Sequence, residues 1–434
     1  MHQPNESRRT FLRSAAHGLV AAQLSPLLFA EARAASPNLL RRGSKNTLVC
    51  IYLRGGADAL NVVIPYTNQN YYTLRPTISI PPEKTEDDLG VIKLNDHFGL
   101  HPALAPLQPL WDQKRLVPIL RVGSPHPTRS HFDAQDFMEY AAPGDRTVKE
   151  GWLNRYLRAT AAKEDTPLRA LAIQDLLPRA LRGPAPVLAV PRLKSDESEG
   201  LLDLFDDVYK GNAGMEEDLG GRMMEGGART GRESAVDVGR HTIETLRHFW
   251  EVVEKADKGK KNRVKYPGGG LATRLKTVAS VIKADEGLEV VALDTSGYDT
   301  HQGQGSTDGS MQRLLSSLAQ SVAAFYEDLG ASSDRVTTLI MTEFGRTVAE
   351  NGNRGTDHGR GGVMLALGGA INGGQVIGDF GTLDTKDLQD KRDLQVKIDF
   401  RSVFNEVLKG VHQFDAPKDF FPLFSKRDPL GVCR

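Results

Sequence analysis

The stretch RGTDHGRGG, residues 354–362, sets Asp357 beside His358 and fences the pair with glycines. A carboxylate next to an imidazole is either a pair of metal ligands or an ordinary polar turn. The same residue types recur in other polar segments. RGGADALN carries Asp58 and Asn61, TSGYDTHQGQG carries Asp299 and His301, and EFGRT carries Glu343 and Arg346. Asp58, Asp299, His301, Asp357 and His358 together offer oxygen and imidazole donors without a thiolate. That donor set suits zinc, manganese or iron, or calcium and magnesium where fewer histidines take part. The cofactor expected is a divalent metal such as zinc, manganese or calcium. Such an ion polarises an ester oxygen and activates a nucleophile. Ser130 and Thr128, in SPHPTRSHFDAQDFME, are the candidate nucleophiles, because the helix expected to start near Ser130 or His131 stabilises negative charge at its N-terminus. Arg129 and Arg346 are candidate clamps for an oxyanion.

Each residue also has an ordinary reading. Asp58 after two glycines suits a turn, and Ser130 suits a helix N-cap. What favours a site is placement, which depends on the surrounding elements. LVCIYL (48–53), RLVPILRVG (115–123), LRALAI (168–173), APVLAV (185–190), LEVVALD (288–294), VTTLIMT (336–342) and GVMLALGG (362–369) are Val-, Ile- and Leu-rich without strict alternation, the pattern of buried strands. HPALAPLQPLWDQ, GWLNRYLRATAAK and MQRLLSSLAQSVAAFYEDLGA carry helical spacing between them, the last ending at Gly330 as a C-cap would. Strand and helix in repeated order predict an α/β fold with a mostly parallel central sheet between helices. In such sheets functional residues gather at the carboxyl ends of strands. There Asp58, Asp299 and Asp357 would repel one another by several kcal/mol unless a cation lay between them.

The 434-residue chain has 39% hydrophobic and 25% charged residues and a formal net charge of +0, so no global field recruits nucleic acid or an anionic membrane. Its first residues differ. SRRTFLR (7–13), a weak apolar stretch and Ala32-Arg33-Ala34 read as a twin-arginine export signal over residues 1–34, with the rest of the chain, 35–434, as the folded α/β domain. His17, Gly18, Gln23 and Pro26 interrupt the apolar stretch, so no permanent membrane anchor is expected. The chain is expected to meet the twin-arginine export machinery and to work in the periplasm or outside the cell. Cys50 and Cys433 are not expected to pair, Cys50 lying inside an apolar strand run. Residues 193–270, charged and glycine-rich around a helical segment, read as an insertion on flexible connectors.

The combination of SRRTFL, LRGGADALNVVIP, TRSHFDAQDFME, GYDTHQ, TEFGRT and GTDHGRGG resembles a family of twin-arginine-exported proteins of unknown function, described as sulfatase-like, within the alkaline phosphatase superfamily. The resemblance implies a three-layer α/β/α sandwich around a mixed sheet, a bimetallic site, and hydrolysis or transfer of phosphate or sulfate esters. By the same resemblance Asp58 matches the acidic ligand after the first strand, Asp357-His358 the consecutive ligand pair, Asp299 and His301 ligands of the other metal, and Ser130 or Thr128 the nucleophile. The spacing Asp299-Thr300-His301 is shorter than the superfamily's Asp-x-x-x-His, and the nucleophile sequence of sulfatases is absent. Expected partners are a small anionic ester or glycan-type substrate. The competing reading is a non-catalytic cell-envelope binding protein on the same fold.

Overall fold

The computed structural model describes residues 46–434 apart from 85, 87–88, 163–165, 175, 191–234, 259–263 and 426–427. Residues 1–34, read as an export signal, lie outside the described residues, as does most of the segment 193–270 read as an insertion. Among the described residues no helix is long and apolar enough to cross a membrane.

The strands in chain order are β1 (Thr47–Arg54), β2 (Val63–Ile64), β3 (Ile92–Lys93), β4 (Gly99–Leu100), β5 (Leu116–Gly123), β6 (Ala170–Ile173), β7 (Leu188–Val190), β8 (Val290–Ser296), β9 (Val336–Met341), β10 (Gly362–Gly368) and β11 (Ile398–Asp399). Every apolar run read as a strand forms one, with ends shifted by a few residues. The main sheet has the order β11-β5-β10-β9-β1-β8-β6-β7, and β2, β4 and β3 make a small separate sheet. β1 pairs in parallel with β8 and β9 at the centre, and β10 runs antiparallel to both β5 and β9. The reversal has a local cause. A parallel neighbour needs a crossover that carries the chain back to the starting edge, usually through a helix. Residues 342–361 contain no helix and begin and end at the same edge, so β10 can only return against β9.

Side chains of β1 alternate between two cores, as a pleated strand buried on both faces requires. Val49, Ile51 and Leu53 join the helices Gly270–Ala284 and Gly309–Leu329 on one face, and Leu48, Cys50 and Tyr52 join the helices Trp152–Ala159 and Phe400–His412 on the other. Gly330 ends the Gly309–Leu329 helix with φ +53, as the sequence indicated. The expected single helix over HPALAPLQPLWDQ is instead a 3-10 turn, Pro102–Leu107, followed by a short α-helix, Gln108–Asp112, with Pro106 inside the first segment. Proline lacks the N–H that a continuous helix would use. The helical part of the insertion is present as Ala235–Lys258, and its Phe249 and Val252 are buried in the first core rather than hanging free of it. Cys50 and Cys433 are both free thiols.

Candidate metal centre

The carboxyl ends of β1, β8 and β9 and the reversed start of β10 lie at one edge of the sheet, and the polar loops meet there. The glycines permit their close approach. Gly55 has φ +121, and a Cβ on it would lie 2.4 Å from the backbone nitrogen of Asp299. Gly359 fits against the carbonyl of Arg346, where a Cβ would lie 2.5 Å from the backbone. That contact lets Arg346 and His358 form a backbone bridge, with the Gly359 N–H donating to Gly345 at 2.8 Å.

Asp299 is the hub. Its Oδ1 lies 2.7 Å from Nη1 of Arg346, 3.0 Å from Nε2 of His301, 3.1 Å from Nε2 of His358 and 3.4 Å from Nε2 of His131. The other nitrogen of each imidazole is tied down behind it. His131 Nδ1 meets Oε1 of Glu343 at 2.7 Å, His301 Nδ1 meets Oδ1 of Asp357 at 2.9 Å, and His358 Nδ1 meets the Arg129 carbonyl at 2.8 Å. A carbonyl or an ionised carboxylate only accepts, so each Nδ1 carries the proton and, in the neutral ring, each Nε2 turns a lone pair toward Asp299. This second layer of acceptors is what fixes metal-binding histidines in other proteins. The Nε2 atom of His131 is buried with no hydrogen-bond partner, a cost that a cation would remove. His131, Asp299 and His358 form a group able to hold a metal ion, and His301 touches two of its members.

The electrostatics of the cluster favour ionised carboxylates, a neutral His358 and a protonated His131. Burial raises the pKa of Glu343, but hydrogen bonds from His131, Gln135 and the Gly55 N–H outweigh it and hold the carboxyl below its usual range. Burial likewise opposes ionisation of Asp299, and Arg346 with the neighbouring histidines overcomes it. Burial and the charge of His131 push His358 down, favouring its neutral form. In His131 burial is outweighed by Glu343 and Asp299, so its pKa is raised and a metal would have to displace a proton there.

The expected site residues divide. Asp299, His301, His358 and Arg346 converge. Asp357 is beside them in a different role from the ligand expected, since its Oδ1 binds the rear nitrogen of His301 and the Asn351 amide at 3.1 Å. Asp58 departs from the expectation further. Both of its oxygens are taken by the Arg75 guanidinium, at 2.6 and 3.0 Å, and Gln304 donates to it at 2.7 Å, so this fully buried carboxylate is already neutralised by a residue of the chain. Arg129 is not aimed as an oxyanion clamp. Its guanidinium is paired with Asp390 and Asp393, and only its carbonyl faces His358. Ser130 occupies the N-cap position of the helix His131–Glu139, yet its side chain makes no cap hydrogen bond and is exposed. Thr128 accepts the Ser130 N–H at 3.2 Å through its hydroxyl. Sequence reasoning placed His131 only as a helix start and gave Glu343 no role. The available signal was the position of both at strand exits that also carry Ser130 and Arg346.

A mostly parallel α/β sheet with an acidic and histidine-rich cluster at one edge is the class that fold and site define. Residues 45–414 match a family described as a protein of unknown function, DUF1501, and the chain belongs to that family. No curated protein matches it. Among solved structures it is similar to a 2-O GAG sulfatase at 7% identity and TM-score 0.28, covering 77% of this chain and 66% of that one. It is also similar to the PsFucS1 sulfatase from Pseudoalteromonas sp. at 11% identity and TM-score 0.30, covering 83% and 67%. The chain thus spans about two thirds of the length of each sulfatase, and both overall likenesses are weak.

Proposed function

We propose that this protein is an exported, metal-dependent hydrolase of phosphate or sulfate esters, with a divalent ion held by His131, His301, His358 and Asp299. The observation that carries the reading is the convergence of imidazole Nε2 atoms on the Asp299 carboxylate, each ring locked from behind by Glu343, Asp357 or the Arg129 carbonyl. Imidazole-rich sites suit zinc, iron or manganese and not the oxygen-seeking calcium. A bound ion would supply Lewis acidity toward an ester oxygen and lower the pKa of a nearby hydroxyl.

The chain's own groups fit the remaining tasks. Ser130 precedes the ligand His131 and offers an exposed hydroxyl with no capping duty, the position of a nucleophile. Arg346 is fully buried, braced by the Thr356 carbonyl at 2.7 Å and paired with Asp299 at 2.7 Å, so its guanidinium holds the Asp299 carboxylate ionised and fixed in place. The SRRTFLR segment supports export of the folded chain through the twin-arginine route.

The test is turnover of aryl phosphates and aryl sulfates by protein loaded with zinc or manganese, beside Ser130→Ala and Asp299→Asn. The reading expects hydrolysis lost in both variants and metal lost only in the second. Metal-loaded protein that binds phosphate and turns over neither ester class would instead favour a binding protein.

A further inference from the structure

Beside the cluster lies a cavity of about 240 Å³ whose wall includes Asp357, Asn351, Leu74, Leu388, Lys391 and Arg392. It shares Asp357 with the centre, since that carboxylate orients His301. We infer, building on the hydrolase reading, that this cavity is the subsite for the non-reacting part of the substrate, and that Lys391 selects a small molecule carrying a second anionic group.

Four observations support this assignment. The volume falls below the roughly 300–1,000 Å³ of sites for drug-sized ligands, so it takes a fragment no larger than a small acid or single ring. The acidic groups of the wall are already satisfied. Glu350 accepts from the Thr77 N–H, the Thr77 hydroxyl and the Ile78 N–H, and Asp357 accepts from His301 and Asn351. Among the described residues Lys391 has no ion-pair partner, whereas Arg392 is spent on the His358 carbonyl at 2.6 Å and on Asp393 at 3.0 Å. Finally, Asp390 and Lys391 both adopt left-handed backbone, at φ +53 and +57, although neither is glycine. Such strain persists only where the surroundings enforce it. Here the Asp390–Arg129 ion pair and the bridge between Gln389 and Asp393 enforce it, holding Lys391 at the cavity wall.

The test compares 3-phosphoglycerate with glycerol 3-phosphate, which differ by a carboxylate against a hydroxymethyl group. Binding to zinc-loaded protein is measured by titration calorimetry, with zinc content determined on the same samples. The wild type should bind 3-phosphoglycerate about tenfold more tightly, the factor expected for one charge-assisted contact. Lys391→Gln should abolish that preference while leaving the affinity for glycerol 3-phosphate, the zinc content and the melting temperature unchanged. Equal affinities in the wild type, a preference that survives Lys391→Gln, or no binding of either compound overturns the subsite. Failure of the hydrolase reading is separable, because it shows as absent turnover of aryl phosphates and aryl sulfates by zinc-loaded protein, whereas the affinity ratio is read from binding alone.

Discussion

His301 and His358 face each other Nε2 to Nε2 at 2.9 Å, although each ring has already donated its Nδ1 proton to an acceptor behind it. Two lone pairs at that distance repel, and only a shared proton or a cation turns the contact into an attraction. The contact therefore calls for a positive charge between the rings, supplied either by a shared proton or by a cation.

Removal of a cation held there should be visible in stability. Metal that binds the folded chain alone, present at about a thousand times its dissociation constant, stabilises by about 4 kcal/mol. Chelation should lower the melting temperature by several degrees, re-addition of zinc should restore it, and His358→Ala should be insensitive to both. Elemental analysis beside differential scanning calorimetry checks this. A wild type indifferent to chelator and lacking metal sinks the centre.

Asp357 and Asp299 should behave differently. Asp299 faces the Nε2 atoms, so Asp299→Asn should lose the metal outright. Asp357 only aligns His301 from behind, and loss of such an aligning partner typically weakens metal binding by about 10–100-fold without abolishing it. Glu343→Gln, behind His131, should resemble Asp357→Asn. Zinc dissociation constants measured by competition with a chromogenic chelator separate the two classes, and complete loss of metal in Asp357→Asn would make Asp357 a ligand after all.

Asp58 belongs to stability rather than chemistry. Removing one partner of a buried ion pair leaves the other charge stranded, at a cost of about 3–5 kcal/mol. Asp58→Ala should thus shift the urea midpoint strongly while the surviving folded fraction keeps its metal. Pairing it with Arg75→Met should recover much of the loss, because no charge is then left stranded. A double variant as unstable as the sum of the singles would contradict this account.

His101 should impose a pH dependence on the fold. Its Nδ1 accepts the Ala103 N–H and its Nε2 meets the Ser306 carbonyl, both at 3.0 Å, in a fully buried setting. Burial lowers its pKa from 6.5 to about 4, against the weaker pull of the Ser306 carbonyl and Asp58. The unfolded chain then takes up a proton that the folded chain refuses. Stability is full above pH 6.5 and declines as pH falls toward 4, by about 3 kcal/mol from this group. His101→Asn keeps a capping acceptor and removes the titration. Its denaturation midpoint should fall less steeply than the wild type's across that window, and identical slopes would discount His101.

The strands could be read from the sequence because a parallel sheet covered on both faces demands continuous apolar runs, and LVCIYL or GVMLALGG admits few other uses. β11 could not, since two residues carry no period. The direction of β10 was also hidden, being set by a helix-free connection rather than by its composition. At the site, Asp299, His301 and His358 could be named from residue type and strand-end placement. His131 could not be distinguished from a helical first turn, because its purpose depends on Glu343, which arrives from β9 much later in the chain. Asp58 misled for the converse reason. Its partner Arg75 follows a short helix in a segment with no pattern of its own, and composition alone cannot show that a carboxylate is already paired.

The pairing of β1 has a consequence for the order in which the molecule comes into being. Leu48 sits opposite Val290 and Thr47 opposite Val336, so the centre of the sheet cannot close until most of the polypeptide has been made. Closing loops of that length is entropically costly and slow. The seat of Gly55 against Asp299 depends on this late closure, and His358 follows later still in the chain. A nascent chain thus has no assembled cluster of His131, Asp299 and His358, and the group comes together only in the finished product.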